Sequence, residues 1–159
     1  MSADALWTFA VAFYDRPGVS GACLQLQDDY GADVNMVLFA LWCASRGSVL
    51  DAASLAAADA AVAPWREAIV RGIRQVRRAL KPPPGPPFDP AETESLRQKL
   101  LSAELLAERL QLQVLPAFAP PPGTKAPAAA AEANLANLAR WAGLPADAAP
   151  LRTMQGAFM

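Results

Sequence analysis

The chain has 159 residues, of which 53% are hydrophobic, and a formal net charge of −1. This composition indicates one domain with a real hydrophobic core and excludes extensive disorder or a chain-wide attraction to nucleic acid. The absence of histidine excludes a Ser-His-Asp triad, a Cys-His pair and histidine metal ligands.

Two features of the sequence concern the compartment. Cys23 and Cys43 lie in apolar helical patterns without metal-ligand spacing, which is typical of reduced core cysteines. The N-terminus lacks the basic region of a signal peptide, and the most apolar run, residues 34–44, is shorter than the roughly 20 residues that cross a bilayer. We therefore expect a cytoplasmic protein.

Helix start and stop signals predict three helices in the first fifty residues. The first runs from about Ala3 to Tyr14 and the second from Pro17 to Tyr30, where Gly31 ends it. The third runs from Val34 to about Ser45, and the preceding Asp33 is placed to cap it. Its broad apolar face predicts that the third helix is the centre of the core.

An alanine-rich fourth helix is predicted after Asp51, and a fifth begins near Pro64, because proline suits the first turn of a helix. The apolar residues of the fifth helix form one stripe: Trp65, Ile69, Ile73, Val76 and Leu80. Its basic residues line another face: Arg71, Arg74, Arg78 and Lys81. This pattern predicts an amphipathic helix with an apolar stripe and a separate basic face.

The second half of the sequence alternates proline-rich and leucine-rich segments. Residues 82–87 lack most backbone donors and predict a short extended connector. A sixth helix follows from Asp89-Pro90 to about Leu115, with leucines on more than one face, so it is expected to lie between other helices or against another subunit. Residues 116–130 predict a mobile linker, followed by a short helix over 131–141 and a tail without a strong pattern.

These elements predict an all-α fold, a compact bundle of about five or six helices with a Pro/Ala-rich C-terminal extension. We expect a helical bundle domain over residues 1–116, with the Pro-rich connector 82–88 within it. Residues 117–159 are expected to form a flexible linker, a short helix and a tail.

The N-terminal segments 14–19, 23–28, 31–35 and 38–42 together form the signature Y-x-R-P-G-V-x(3)-C-L-x-L-Q-D-x(2)-G-x-D-V-N-x(2)-L-F-x(2)-W. This signature resembles a conserved family of small proteobacterial proteins of unknown function, and the resemblance extends over roughly residues 6–116. It implies a helical, cytoplasmic, bacterial protein. The family brings no catalytic assignment, so no functional residue follows from the resemblance.

Polar side chains crowd the predicted turn between the second and third helices: Gln25, Gln27, Asp28, Asp33 and Asn35. Such a cluster beside a core can bind a small molecule or the backbone of a partner. It can equally satisfy the N–H and C=O groups of the turn itself. The sequence leaves both interpretations open.

Arg71, Arg74 and Arg78 on the fifth helix are the second candidate site. A basic helical face can contact phosphates, an anionic membrane or an acidic protein, but this one lacks the interleaved aromatic residues that single-stranded nucleic acid favours. It can also be a solvated face, or pair with residues 1–60, which have seven acidic and two basic side chains.

The sequence shows no catalytic constellation, metal cluster or cofactor motif, so it favours a non-enzymatic interaction or regulatory protein without a cofactor. The expected partner is another protein, or a second copy bound through the leucine-rich sixth helix. Two alternatives remain: a small-molecule or enzymatic site at the polar turn, and phosphate or nucleic-acid contact through the basic fifth helix.

Overall fold

The computed structural model describes residues 4–159. This part of the chain contains seven helices and no strands, so the predicted all-α class is confirmed, whereas the predicted number of five or six helices is too low. In chain order the helices are α1 (Ala5–Tyr14), α2 (Val19–Asp29), α3 (Val34–Ser45), α4 (Ala52–Trp65, a π-helical turn Arg66–Val70, and Arg71–Ala79), α5 (Pro90–Val114), α6 (Pro127–Ala142) and α7 (Ala149–Phe158). The predicted start of the first helix, Ala3, lies outside the described residues.

The chain divides by packing into two units. Unit 1 comprises the described residues up to Ala61 together with Leu112–Met159, and unit 2 is Val62–Gln111. Unit 1 therefore contains α1, α2, α3, α6 and α7, whereas unit 2 contains the later part of α4 and most of α5. The predicted domain boundary after residue 116 divides the chain differently and stays a prediction.

The centre of unit 1 is α3. The Oδ1 atom of Asp33 accepts a hydrogen bond from the N–H of Asn35 at 3.0 Å, so Asp33 caps the helix as its position predicts. Every residue from Asn35 to Ala44 is buried. A helix that is apolar around its whole circumference needs neighbours on several sides, and in unit 1 these are α1, α2 and above all α6.

A buried amide joins α6 to the loop that follows α3. The side chain of Asn134 is fully buried; its Oδ1 atom accepts from the N–H of Leu50 at 2.8 Å. Its Nδ2 atom donates to the carbonyl oxygens of Ala40 at 3.0 Å and Ser48 at 2.9 Å. The sequence alone did not decide whether the last helices dock, and these bonds show that α6 packs directly on α3.

Two glycines allow the same loop to approach the segment before α6. The N–H of Gly123 donates to the carbonyl of Arg46 at 2.9 Å, and the Ser48 hydroxyl donates to the carbonyl of Pro121 at 2.7 Å. A Cβ atom on Gly47, whose φ is 72°, would lie 2.5 Å from the carbonyl oxygen of Gly123. Only glycine fits both requirements at this position.

The tail, where the sequence has no strong pattern, contains α7. Pro150 lies in its first turn, and Leu151 and Met154 are buried three residues apart, so the helix has a short apolar face directed inward. This helix packs against α2. At its C-terminal end the Nη1 atom of Arg16 donates to the carbonyl of Ala157 at 2.7 Å.

The predicted helix boundary near Pro64 is wrong, because Pro64 lies inside the continuous helix α4. Proline removes one backbone donor and crowds the preceding turn, and the π-helical turn Arg66–Val70 follows it directly. A π-turn contains one extra residue, so the following segment is rotated by about 100° relative to an unbroken α-helix. The helix therefore continues past Pro64, and the segment after the π-turn is rotated about the helix axis.

Among the described residues, none of the helices combines the length and the apolar character that crossing a membrane requires.

Candidate functional site

The interior of unit 2 contains a cluster of ion pairs between α4 and α5. The carboxylate of Glu104 accepts a hydrogen bond from Nε of Arg74 at 2.8 Å and another from Nε of Arg77. Arg74 also donates through Nη2 to Glu108 at 2.9 Å. Only 6% of the Glu104 side chain is exposed, so this cluster is an internal contact of the unit.

The electrostatics of Glu104 follow from this burial and these partners. Burial raises the pKa of the Glu104 carboxyl, because a low dielectric disfavours the charged form. The hydrogen bonds and charges of Arg77 and Arg74 lower the pKa by more, so the group remains ionised below its ordinary range. A carboxylate held between two arginines has little freedom to exchange protons near neutral pH, which makes it a structural group.

The three arginines that the sequence places on one face have different surroundings. Arg74 is half-buried in the ion-pair cluster, whereas Arg71 and Arg78 are exposed. Nη1 of Arg71 donates to Glu67 at 2.9 Å, one turn away on the same helix. Glu67, Glu104 and Glu108, which pair with Arg71 and Arg74, belong to unit 2.

The apolar stripe of this segment is not its inner face. Trp65, Ile69 and Val76 are among the exposed large hydrophobic residues of the chain. For Val76 the physical reason is the π-turn, since its extra residue rotates the segment that follows and directs Arg74 and Arg77 toward α5. Helical spacing that is counted through this segment without the extra residue of the π-turn assigns the inner face to the wrong side chains.

Large apolar side chains are also exposed along α5. Leu96 and Leu106 are 49% and 57% exposed, and Leu110 is exposed as well. At about 3.6 residues per turn, these three leucines lie within about 80° of one another around the helix axis. The indole N–H of Trp65 donates to the carbonyl of Ala107 at 2.9 Å, which fixes this aromatic ring beside the same turn of α5. We call Trp65, Leu96, Leu106 and Leu110 the apolar strip.

The polar turn between α2 and α3 shows a local role for one of its members. Asp33 caps α3 through Asn35, as described above, so its carboxylate is bound to the backbone of the turn. Asn35 is buried, Gln27 is half-buried, and Asp28 is exposed. The geometry of Asp33 agrees with the interpretation in which the turn satisfies its own backbone groups.

The two cysteines of the chain lie in α2 and α3. Burial raises the pKa of the Cys43 thiol to about 12, and the nearby charge of Arg46 lowers it by less. Cys23 is buried as well. Within residues 4–159, no group of three or more histidine, cysteine, aspartate or glutamate side chains is arranged to hold a metal ion.

Sequence reasoning missed Glu104 and Asn134. Glu104 lies among leucines on α5, four residues before Glu108. Exposed acidic residues of a helix often have this spacing, so the sequence pattern does not indicate that Glu104 is buried. Asn134 interrupts an apolar run in α6, and a lone polar residue at a core position is the signal that could have indicated a buried hydrogen-bonding role.

Comparison with known proteins gives one match. The family model described as "Protein of unknown function (DUF2390)" matches residues 5–115, which is more than half of the chain. No curated protein and no solved structure matches the chain. The matched region ends just after α5 and leaves α6 and α7 outside it.

Proposed function

Because the chain belongs to the DUF2390 family, whose function is unknown, we propose from its own structure that it is a non-enzymatic interaction or regulatory module that binds another protein through the apolar strip of unit 2. The observation that carries this proposal is the exposure of Leu96, Leu106 and Leu110 along one side of a long helix. Exposed apolar side chains that lie together on one surface are typical of protein-binding sites.

The surroundings of the strip support the same function. Trp65 is fixed by its hydrogen bond to Ala107, and aromatic residues held in one rotamer contribute strongly to protein interfaces because they lose little entropy on binding. The exposed cations Arg71 and Arg78 are on the same unit and belong to the proposal as further contacts. We place this function in the bacterial cytoplasm, which the buried thiols Cys23 and Cys43 and the resemblance described above favour.

The test is site-specific photocrosslinking in living cells. A photoreactive amino acid replaces Leu106 in the strip or, as a matched control, its neighbour Leu105, which is 49% exposed but lies about 180° from Leu96 around α5. We expect a crosslinked polypeptide from position 106 and none from position 105. Equal crosslinking at both positions, or none at position 106, contradicts the proposal.

The polar turn is the rival site, with Gln27, Asp28, Asp33 and Asn35 as its residues. Alanine at Asp28 tests it without removing the cap of α3, because Asp28 is exposed and the cap is Asp33. If Asp28→Ala leaves the fold intact and removes a small molecule that native mass spectrometry detects on the wild-type protein, the rival function replaces ours.

A further inference from the structure

The apolar strip is not uniformly apolar, since one cation lies inside it. Lys99 lies between the directions of Leu96 and Leu106 around α5, at about 60° from Leu96. It is exposed, and it forms no ion pair with any residue that the structure describes. An ammonium group that becomes covered on binding needs a carboxylate opposite it, because burying an unpaired charge is costly.

The net charge of unit 2 is positive, like the charge of Lys99. Unit 2 has nine lysine or arginine and six aspartate or glutamate residues, a formal net charge of +3, whereas unit 1 has −4. Glu104 and Glu108, the acidic residues closest along the chain to Leu106, are bound to Arg74 on the face toward α4. Between Leu96 and Leu110 the strip side of α5 therefore has one cation, Lys99, and no acidic side chain.

A second copy of the chain is a poor match for this surface. In a parallel pair of α5 helices, Lys99 faces Lys99. In an antiparallel pair, the acidic residue on the strip side is Glu92, and pairing it with Lys99 of the second copy places Leu106 opposite Gly85. That residue precedes the start of α5 at Pro90. The pairing that satisfies the charge thus leaves the most exposed leucine without a helix to contact.

We infer that the occupant of the strip is an amphipathic helix of a different protein, with an apolar face that covers the leucines and a carboxylate opposite Lys99. This inference rests on the proposed function and names the chemistry of its partner. A helix is the shape that matches, because the strip follows one side of an α-helix and fits the ridges of another. The carboxylate provides specificity, since a lysine or leucine at the same place leaves Lys99 unpaired.

The experiment uses two labelled helical peptides of about 20 residues, a length at which helices persist in water. Both have a leucine face; one has glutamate and the other lysine at the central position of that face. Fluorescence anisotropy measures their binding to the full chain. We expect the glutamate peptide to bind at least about tenfold more tightly than the lysine peptide, and Lys99→Glu to reverse this preference.

Two further variants separate the inference from the proposed function. Leu106→Glu is expected to abolish binding of both peptides, whereas Leu105→Glu leaves binding unchanged; circular dichroism checks that both variants fold. If Leu106→Glu abolishes binding but the two peptides bind equally and Lys99→Glu changes nothing, the acidic partner is refuted while the strip remains a binding surface. If Leu106→Glu has no effect, the proposed function fails. A dimer in sedimentation equilibrium that Leu106→Glu alone dissociates identifies a second copy as the occupant and overturns the inference.

Discussion

At the scale of single residues, Glu104 has the strongest predicted effect on stability. Replacing it with glutamine leaves Arg74 and Arg77, whose side chains are only 14% and 19% exposed, without their shared carboxylate. We expect Glu104→Gln to lower the free energy of unfolding by about 3 kcal/mol at neutral pH, as breaking buried ion pairs does. Urea denaturation measures this change.

The same residue predicts a pH dependence. Because the pKa of Glu104 is lower in the folded chain than its ordinary value of 4.5, its contribution is complete above that value and is lost as the pH falls through the folded-state pKa. The difference between wild type and Glu104→Gln should therefore shrink as the pH falls below 4.5. The control is Glu94→Gln, because the Glu94 side chain is 52% exposed and solvent screens its ion pair with Arg97, so this pair contributes little. A loss for Glu94→Gln as large as that for Glu104→Gln would contradict this account.

Asn134 is the second residue with a specific prediction. Asn134→Ala removes three hydrogen bonds and leaves the N–H of Leu50 and the carbonyls of Ala40 and Ser48 buried without their partner. We expect a loss of about 3 kcal/mol or more in the free energy of unfolding. The matched control, Asn137→Ala, removes a half-buried bond to the carbonyl of Leu50 and an exposed bond from Arg140, and should cost about 1 kcal/mol. Similar losses for both variants would show that the buried amide is not special.

At the scale of helices, the π-turn in α4 sets the inner face of unit 2. Deleting Ala68, an exposed residue of that turn, should restore a regular α-helix and rotate Arg74 and Arg77 away from Glu104 by about 100°. We expect a loss of stability comparable to that of Glu104→Gln. Deleting Gly85 in the proline-rich loop shortens the chain equally without rotating a helix, so thermal unfolding should change little. If deletion of Ala68 is tolerated as well as deletion of Gly85, the π-turn does not determine the ion pairs.

Helices with local start and stop signals were predictable from the sequence, and those that depend on tertiary contacts were not. The third helix was predicted from Val34 to Ser45 and is observed there, because an aspartate cap and an apolar run are local features. The break at Pro64 was wrong because a π-turn follows the proline without ending the helix. The last helix was missed because its apolar face is too short to give a periodic signal.

The candidate site was predictable only in part. The leucine-rich face of the sixth helix was identified from the sequence, and several of its leucines are indeed exposed. Which leucines these are depends on the rotation of α4, which assigns one side of α5 to the ion pairs with Arg74 and Arg77. The arginine face lies on α4, and helical spacing without the rotation places Arg71, Arg74 and Arg78 on one side of it. The internal position of Arg74 therefore does not follow from spacing alone.

At the scale of the whole molecule, a truncation tests the predicted domain of residues 1–116. The most extensive helix contact in unit 1 is between α3 and α6, and the truncated chain lacks α6. We expect the 1–116 fragment to lose its cooperative unfolding transition and to bind the dye ANS, because the apolar side of α3 becomes exposed. A cooperative transition with an unchanged midpoint would instead support the predicted domain.

The contact between Gly47 and Gly123 makes two distant positions genetically interdependent. Alanine at either position obstructs the same approach of two backbones. Once Gly47 has been replaced, replacing Gly123 should therefore cost little more, so the two substitutions should show strong epistasis. Gly47 lies inside the region that the family model matches, whereas Gly123 lies outside it. The constraint on one position of the shared region is thus imposed by a part of the chain beyond it.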